Sequence, residues 1–268
     1  MKLCVFGNSH TAMLAGPYRE GAGTGLDLTF FAQQGRGPEG ARLRDRQIRA
    51  AHPRLKRALS KMGMPEAVDL SAFDGFAIVA MTTSMFSLMP MLTSHAVFGW
   101  PAWQETNAEG DTLPDRPLVS EPALEAAMVA AIRANLGHRF VTMIRQVSDA
   151  PIVLIRQPHP SVAVLKQKKK FLGLRQILWR KEGDMAAALL DRAHVTAFAK
   201  FDGVHMLTQP AETIEHGFLT AAAYTRGAER LNEGGRQPET DILHANPLYG
   251  RLVLSQISQK SNSFIDDF

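Results

Sequence analysis

Five short apolar runs recur along this chain: KLCVF at 2–6, LDLTFFA at 26–32, GFAIVAM at 75–81, PIVLIR at 151–156 and GVHML at 203–207. Such near-continuous runs suit strands covered on both faces, as in a parallel sheet. Between them lie segments with helical character, and strands that alternate with helices form parallel sheets through crossover connections. The expected fold is therefore α/β, a three-layer α/β/α sandwich with a mostly parallel five-stranded sheet. No internal repeat or shift of composition divides the chain, so residues 1–268 read as one domain, with about 259–268 as a frayed tail.

The intervening segments differ in clarity. Residues 41–62 are rich in Arg, Lys, Ala and Leu, but Pro53 interrupts any single helix. Residues 99–120 hold prolines and two tryptophans and read as a long irregular excursion. Glu121–Leu136 reads as an amphipathic helix with Pro122 in its first turn, and Gly137 weakens a continuation through Val141–Val147. Further helices are expected over 185–201 and from Pro247 to about Ile257.

Composition enters as a bound on partners. With 45% hydrophobic and 21% charged residues the chain is a folding sequence, and a net charge of +4 is too small to imply nucleic acid. Cys4 is the single cysteine, so no intramolecular disulfide forms and a reducing, cytoplasmic setting is expected. The apolar run at the start is shorter than a signal h-region. The most apolar stretch, 76–92, is broken by Pro90 and hydroxyl residues, which predicts a buried strand and a following loop or helix, with no membrane span.

In an open parallel sheet, ligands bind beyond the carboxyl ends of the strands. The first strand delivers Gly7, Asn8, Ser9 and His10 there; the second delivers Gly35 and Gly37; the third Thr82, Thr83 and Ser84; the fourth Gln157 and His159. A serine hydroxyl needs a base to become a nucleophile. His244 is a candidate base, and Asp241, three residues earlier, a candidate to orient its ring.

These blocks resemble those of the SGNH (GDSL-like) hydrolases, whose sheet is flavodoxin-like. GNSH at 7–10 is similar to the family's nucleophile block, and DILH at 241–244 to its late D-x-x-H block. The resemblance implies Ser9 as nucleophile, His244 as base and Asp241 as its partner. It also implies an oxyanion hole built from the Ser9 N–H and a glycine N–H, with Gly35 the best match and Gly37 the rival. The family's third block carries an asparagine, whereas this chain reads MTTSMF at 81–86. Ser84 or Thr83 would have to donate there. Asn8, His10, Thr83 and His159 are the expected substrate contacts.

Each residue also has a structural reading. Ser9 suits a helix cap, Gly35 and Gly37 suit turns, and Asn246-Pro247 reads as a cap with a first-turn proline. No zinc, P-loop or dinucleotide motif is present, and neither a metal nor a cofactor is expected. Lys166–Lys170 is a basic run that reads as a solvated face, or as a surface for an anionic polymer. The expected activity is hydrolysis of a small-molecule or carbohydrate ester, with deacetylation of a carbohydrate as the family analogy. The alternative is a glycan-binding or acyl-transferring relative in surface-polysaccharide metabolism, motivated by the missing asparagine.

Overall fold

The computed structural model describes residues 1–108, 116–167, 170–232 and 235–266. The five apolar runs form one parallel sheet: β1 (Lys2–Gly7), β2 (Asp27–Ala32), β3 (Gly75–Val79), β4 (Ile152–Ile155) and β5 (Val204–Leu207). Its spatial order is β2-β1-β3-β4-β5, with every neighbouring pair parallel.

Period-two packing explains why these runs read as continuously apolar. Leu3 and Val5, Ala77 and Val79, and Val153 and Ile155 face one hydrophobic layer, while Cys4 and Phe6, Phe76 and Ile78, and Ile152 and Leu154 face the other. The first layer is closed by α1 (Ala12–Arg19) and α9 (Pro247–Asp266), through Met13, Leu14, Tyr249 and Leu254. The second is closed largely by α5 (Glu121–Arg133), α6 (Leu136–Arg145) and α8 (Gly183–Phe198), through residues such as Met128, Phe140 and Leu189. The result is a three-layer α/β/α sandwich. Two glycines allow close approach. A Cβ on Gly250 of α9 would lie 1.7 Å from the Met13 carbonyl oxygen of α1, and one on Gly137 of α6 would lie 2.8 Å from the Met81 carbonyl oxygen.

Four segments depart from expectation. Residues 41–50 form an antiparallel hairpin (Ala41–Arg44 with Gln47–Ala50), joined by Ala67–Asp69 into a small separate sheet. Asp45 and Arg46 take positive φ of 50° and 64°, the two-residue turn that suits strand twist. Helix propensity is overridden because Ala41, Ile48 and Ala50 alternate into the core. Pro53 begins α2 (Pro53–Lys61) at its first turn, where no N–H is needed, and His52 caps it. The stretch expected to be irregular contains α4 (Pro101–Ala108), and residues 109–115 of it lie outside the described residues. The expected helix over 121–136 stops at Arg133 and restarts at Leu136, because Gly137 docks its N–H on the Met81 carbonyl. The expected frayed tail is helical to Asp266. The apolar stretch 76–92 is β3 followed by α3 (Met85–Ser94), and α7 (Leu172–Trp179) follows the Lys166–Lys170 run, part of which lies outside the described residues. Among the described residues no helix is long and apolar enough to cross a membrane.

Candidate active site

Strand order reverses between β1 and β3, which opens a crevice at the carboxyl edge where the two chains diverge. β1 ends there at Gly7, and a Cβ on Gly7 would lie 2.0 Å from Thr11 Oγ1, so only glycine lets the next turn fold back so tightly. That turn is a short 3-10 segment, Ser9–Thr11, leading into α1. Asn8 caps it, accepting from the His10 N–H at 3.0 Å and donating to the Ala80 carbonyl at 2.6 Å. Ala80 has φ of 51°, a conformation that costs a residue with a Cβ about 1 kcal/mol or more. The chain thus leaves β3 through a strained residue held by the side chain beside Ser9.

The late loop reaches the same crevice. Asn246 caps α9, accepting from the N–H groups of Leu248 and Tyr249, and donates to the carbonyls of Ala223 and Arg226. The Ser161 N–H holds the Ile242 carbonyl at 2.9 Å, tying the loop to the segment after β4. With both ends of the loop anchored, His244 Nε2 lies 2.9 Å from Ser9 Oγ, and its Nδ1 lies 3.1 Å from Asp241 Oδ2. Asp241 Oδ2 also accepts the His244 N–H at 2.8 Å. Burial by itself would raise the Asp241 carboxyl. The bonds from the His244 ring and amide overcome it and hold the group below its ordinary value, so it stays ionised. An imidazole with a carboxylate on one nitrogen and a hydroxyl on the other can take the hydroxyl proton and be stabilised as imidazolium.

His10 stacks on the His244 ring, with centroids 4.5 Å apart and planes inclined by 25°. It is buried, and its Nδ1 has no hydrogen-bond partner among the described residues. Burial first, then the His244 charge, lowers its pKa to about 3, so it supplies a neutral aromatic face.

Ser9, His10, His244, Gly35 and Ser84 line one open cleft of about 570 Å³. Gly35 is on its wall with φ of 74°, whereas Gly37 packs against Met81, Leu136 and Asn8 outside it. Ser84 occupies the N-cap position of α3 without using its hydroxyl as a cap. Asn8 reaches the cleft, but its amide is committed to backbone groups.

Two expected substrate contacts stand back from the Ser9 cleft. Thr83 is buried with its hydroxyl accepting from Asn135 at 2.6 Å, which ties the start of α6 to the end of β3. His159 lies with Thr83 in a small cavity beside Arg156 that shares Ser84 and Gln157 with the Ser9 cleft; its N–H is bonded to Gln209, and burial lowers its pKa to about 4. Neither lines the Ser9 cleft. In their place the walls carry Gln34, Gln157, Asn232, Gln237 and Arg230. Gln157 is among the residues that the fourth apolar run delivers to the sheet edge, and Gln34, which adjoins Gly35, was within reach of the same strand-end argument. The others belong to an irregular loop with no sequence pattern to mark it. Gln34 donates to Asn232 across the cleft and joins this loop to the β2 exit.

Among the described residues no group of three or more His, Cys, Asp or Glu side chains could hold a metal ion. No family model, curated protein or solved structure matches this chain.

Proposed function

We propose that this chain is a serine ester hydrolase of the SGNH type that its sequence resembles, acting on O-acylated carbohydrate. The observation that carries the reading is the continuous contact from the Ser9 hydroxyl through the His244 ring to the Asp241 carboxylate, beside an open cleft. His244 Nε2 takes the Ser9 proton as Oγ attacks the ester carbonyl. The tetrahedral intermediate then collapses, His244 protonates the departing alcohol, and an acyl-enzyme remains. Water, deprotonated by the same nitrogen, releases the acid and restores Ser9.

The negative oxygen of the intermediate needs donors, each worth about 3 kcal/mol of barrier. The Ser9 and Gly35 N–H groups and the Ser84 hydroxyl are the candidates. Ser84 is favoured by its uncapped position on the cleft wall, at the positive end of α3. The carboxamides of Gln34, Gln157, Asn232 and Gln237 suit a substrate rich in hydroxyls, since each can donate and accept. Cys4 is free and buried, in keeping with a reducing compartment such as the cytoplasm.

The test is covalent labelling. A fluorophosphonate should modify wild-type protein at Ser9, and 4-nitrophenyl acetate should give a burst of 4-nitrophenol that Ser9→Ala abolishes. Folded protein with an unlabelled Ser9 and no burst sinks the proposal. Acyl transfer would share the acyl-enzyme, and product analysis with a sugar acceptor separates it from hydrolysis.

A further inference from the structure

Positive charge is concentrated beside the cleft. Between Arg36 and Arg57 the chain carries eight cationic side chains against two carboxylates, Glu39 and Asp45. That stretch alone exceeds the net charge of the whole chain, +4. It forms the loop after β2, the antiparallel hairpin and the start of α2, and all eight cations are exposed. Arg36, Arg42 and Arg54 line an open groove of about 650 Å³. Gln34 and Gly35 line both this groove and the Ser9 cleft, so the two form a continuous path. The cations are weakly neutralised. Arg36 approaches Glu39 only at 4.0 Å, and Arg42 and Arg139 both donate to the Glu39 carbonyl. Arg139 is held below its ordinary range by burial and by the charge of Arg42, with Glu39 opposing.

The path continues into the cleft at Arg230. Its backbone is fixed in a small ladder, with its N–H on the Gly235 carbonyl and Glu229 bridged to Arg236. Successive residues of an extended segment face opposite sides. The Glu229 carboxylate accordingly lies against Gly16 of α1, while Arg230 lines the cleft. Among the described residues no aspartate or glutamate lines the cleft, and Glu39 is the one carboxylate that lines the groove.

We infer that the substrate of the Ser9 site is a polyanionic O-acylated polysaccharide, whose acidic chain lies along the Arg36–Arg42–Arg54 groove and presents its ester to the cleft past Arg230. This rests on the esterase reading for the chemistry but not for the binding. A polysaccharide fits better than a nucleic acid because, among the described residues, the groove offers no Phe, Tyr or Trp on which bases could stack, and Phe86 is the one such side chain lining the cleft.

The experiment measures binding to the Ser9→Ala variant, which requires no turnover. Unacetylated polygalacturonate, neutral dextran and single-stranded DNA are the probes, at rising salt. Polygalacturonate should bind, weaken steeply with salt, and bind more tightly than DNA of equal charge, while dextran should not bind. The pair Arg36→Glu and Arg54→Glu should lower polygalacturonate affinity on the order of tenfold or more. The pair Arg36→Lys and Arg54→Lys, which keeps charge and fold, should retain most of it. Absent binding at low salt, equal binding of dextran, tighter binding of DNA, or indifference to the Glu pair each overturns the inference. Failure of Ser9 labelling overturns only the esterase reading, so the two are distinguishable.

Discussion

Gly250 is where the packing of the fold and the geometry of the site meet. It stands in the first turn of α9, and its replacement by alanine would put a methyl group 1.7 Å from the Met13 carbonyl oxygen. Ordinary contact begins near 3.4 Å, so the helices must part by about 1.7 Å, because a backbone carbonyl within α1 cannot swing aside as a side chain can. Alanine gains about 1 kcal/mol over glycine within a helix. Overpacking costs about 1–3 kcal/mol, which leaves a net loss of up to about 2 kcal/mol. The effect on chemistry is larger. Ser9 precedes α1 and His244 precedes α9, so separation of the helices is passed to the 2.9 Å contact between them. A misplacement of this size can lower the rate about 100-fold. Urea unfolding and the rate of fluorophosphonate labelling, measured on Gly250→Ala, read the two effects separately. A variant with wild-type midpoint and wild-type labelling rate would refute the claim that α1–α9 contact sets the triad.

Asp241→Asn should keep the fold but lower kcat by about 10³–10⁴, because an amide in place of the carboxylate disfavours the required tautomer and no longer stabilises the imidazolium; steady-state kinetics near wild type would remove Asp241 from the mechanism. Stability should fall as the pH drops below neutrality. Burial holds His10 near 3 and both His159 and His194 near 4, against an ordinary value of 6.5. Between pH 6.5 and about 4 the unfolded chain therefore binds more protons, and each ring removes roughly 2 kcal/mol of stability by pH 5. A denaturant midpoint unchanged between pH 7 and pH 5 would contradict this.

The sheet was legible in the sequence because burial on both faces writes itself as an uninterrupted apolar run, as in GFAIVAM and PIVLIR. The 41–50 hairpin was not, because its arginines and alanines are helix formers and the decisive signal, alternate burial of Ala41, Ile48 and Ala50, depends on a core that only the folded chain possesses. At the site, Ser9, His244 and Asp241 stood out by chemistry and spacing. Thr83 and His159 were placed at the correct edge of the sheet, but the direction of a side chain within a loop is set by hydrogen bonds to remote partners, Asn135 and Gln209. Arg230 and Asn232 escaped notice for the same reason, since their loop is shaped by a ladder with no periodicity of its own.

On the proposed reading, the nucleophile Ser9 and its base His244 are separated by 235 positions. During vectorial synthesis the hydroxyl emerges well before the imidazole, so a nascent chain carries Ser9 without His244 until α9 has docked on α1. On that reading hydrolytic power switches on when α9 docks rather than growing with the sheet, and a chain cut before residue 244 is inert however well its sheet has formed.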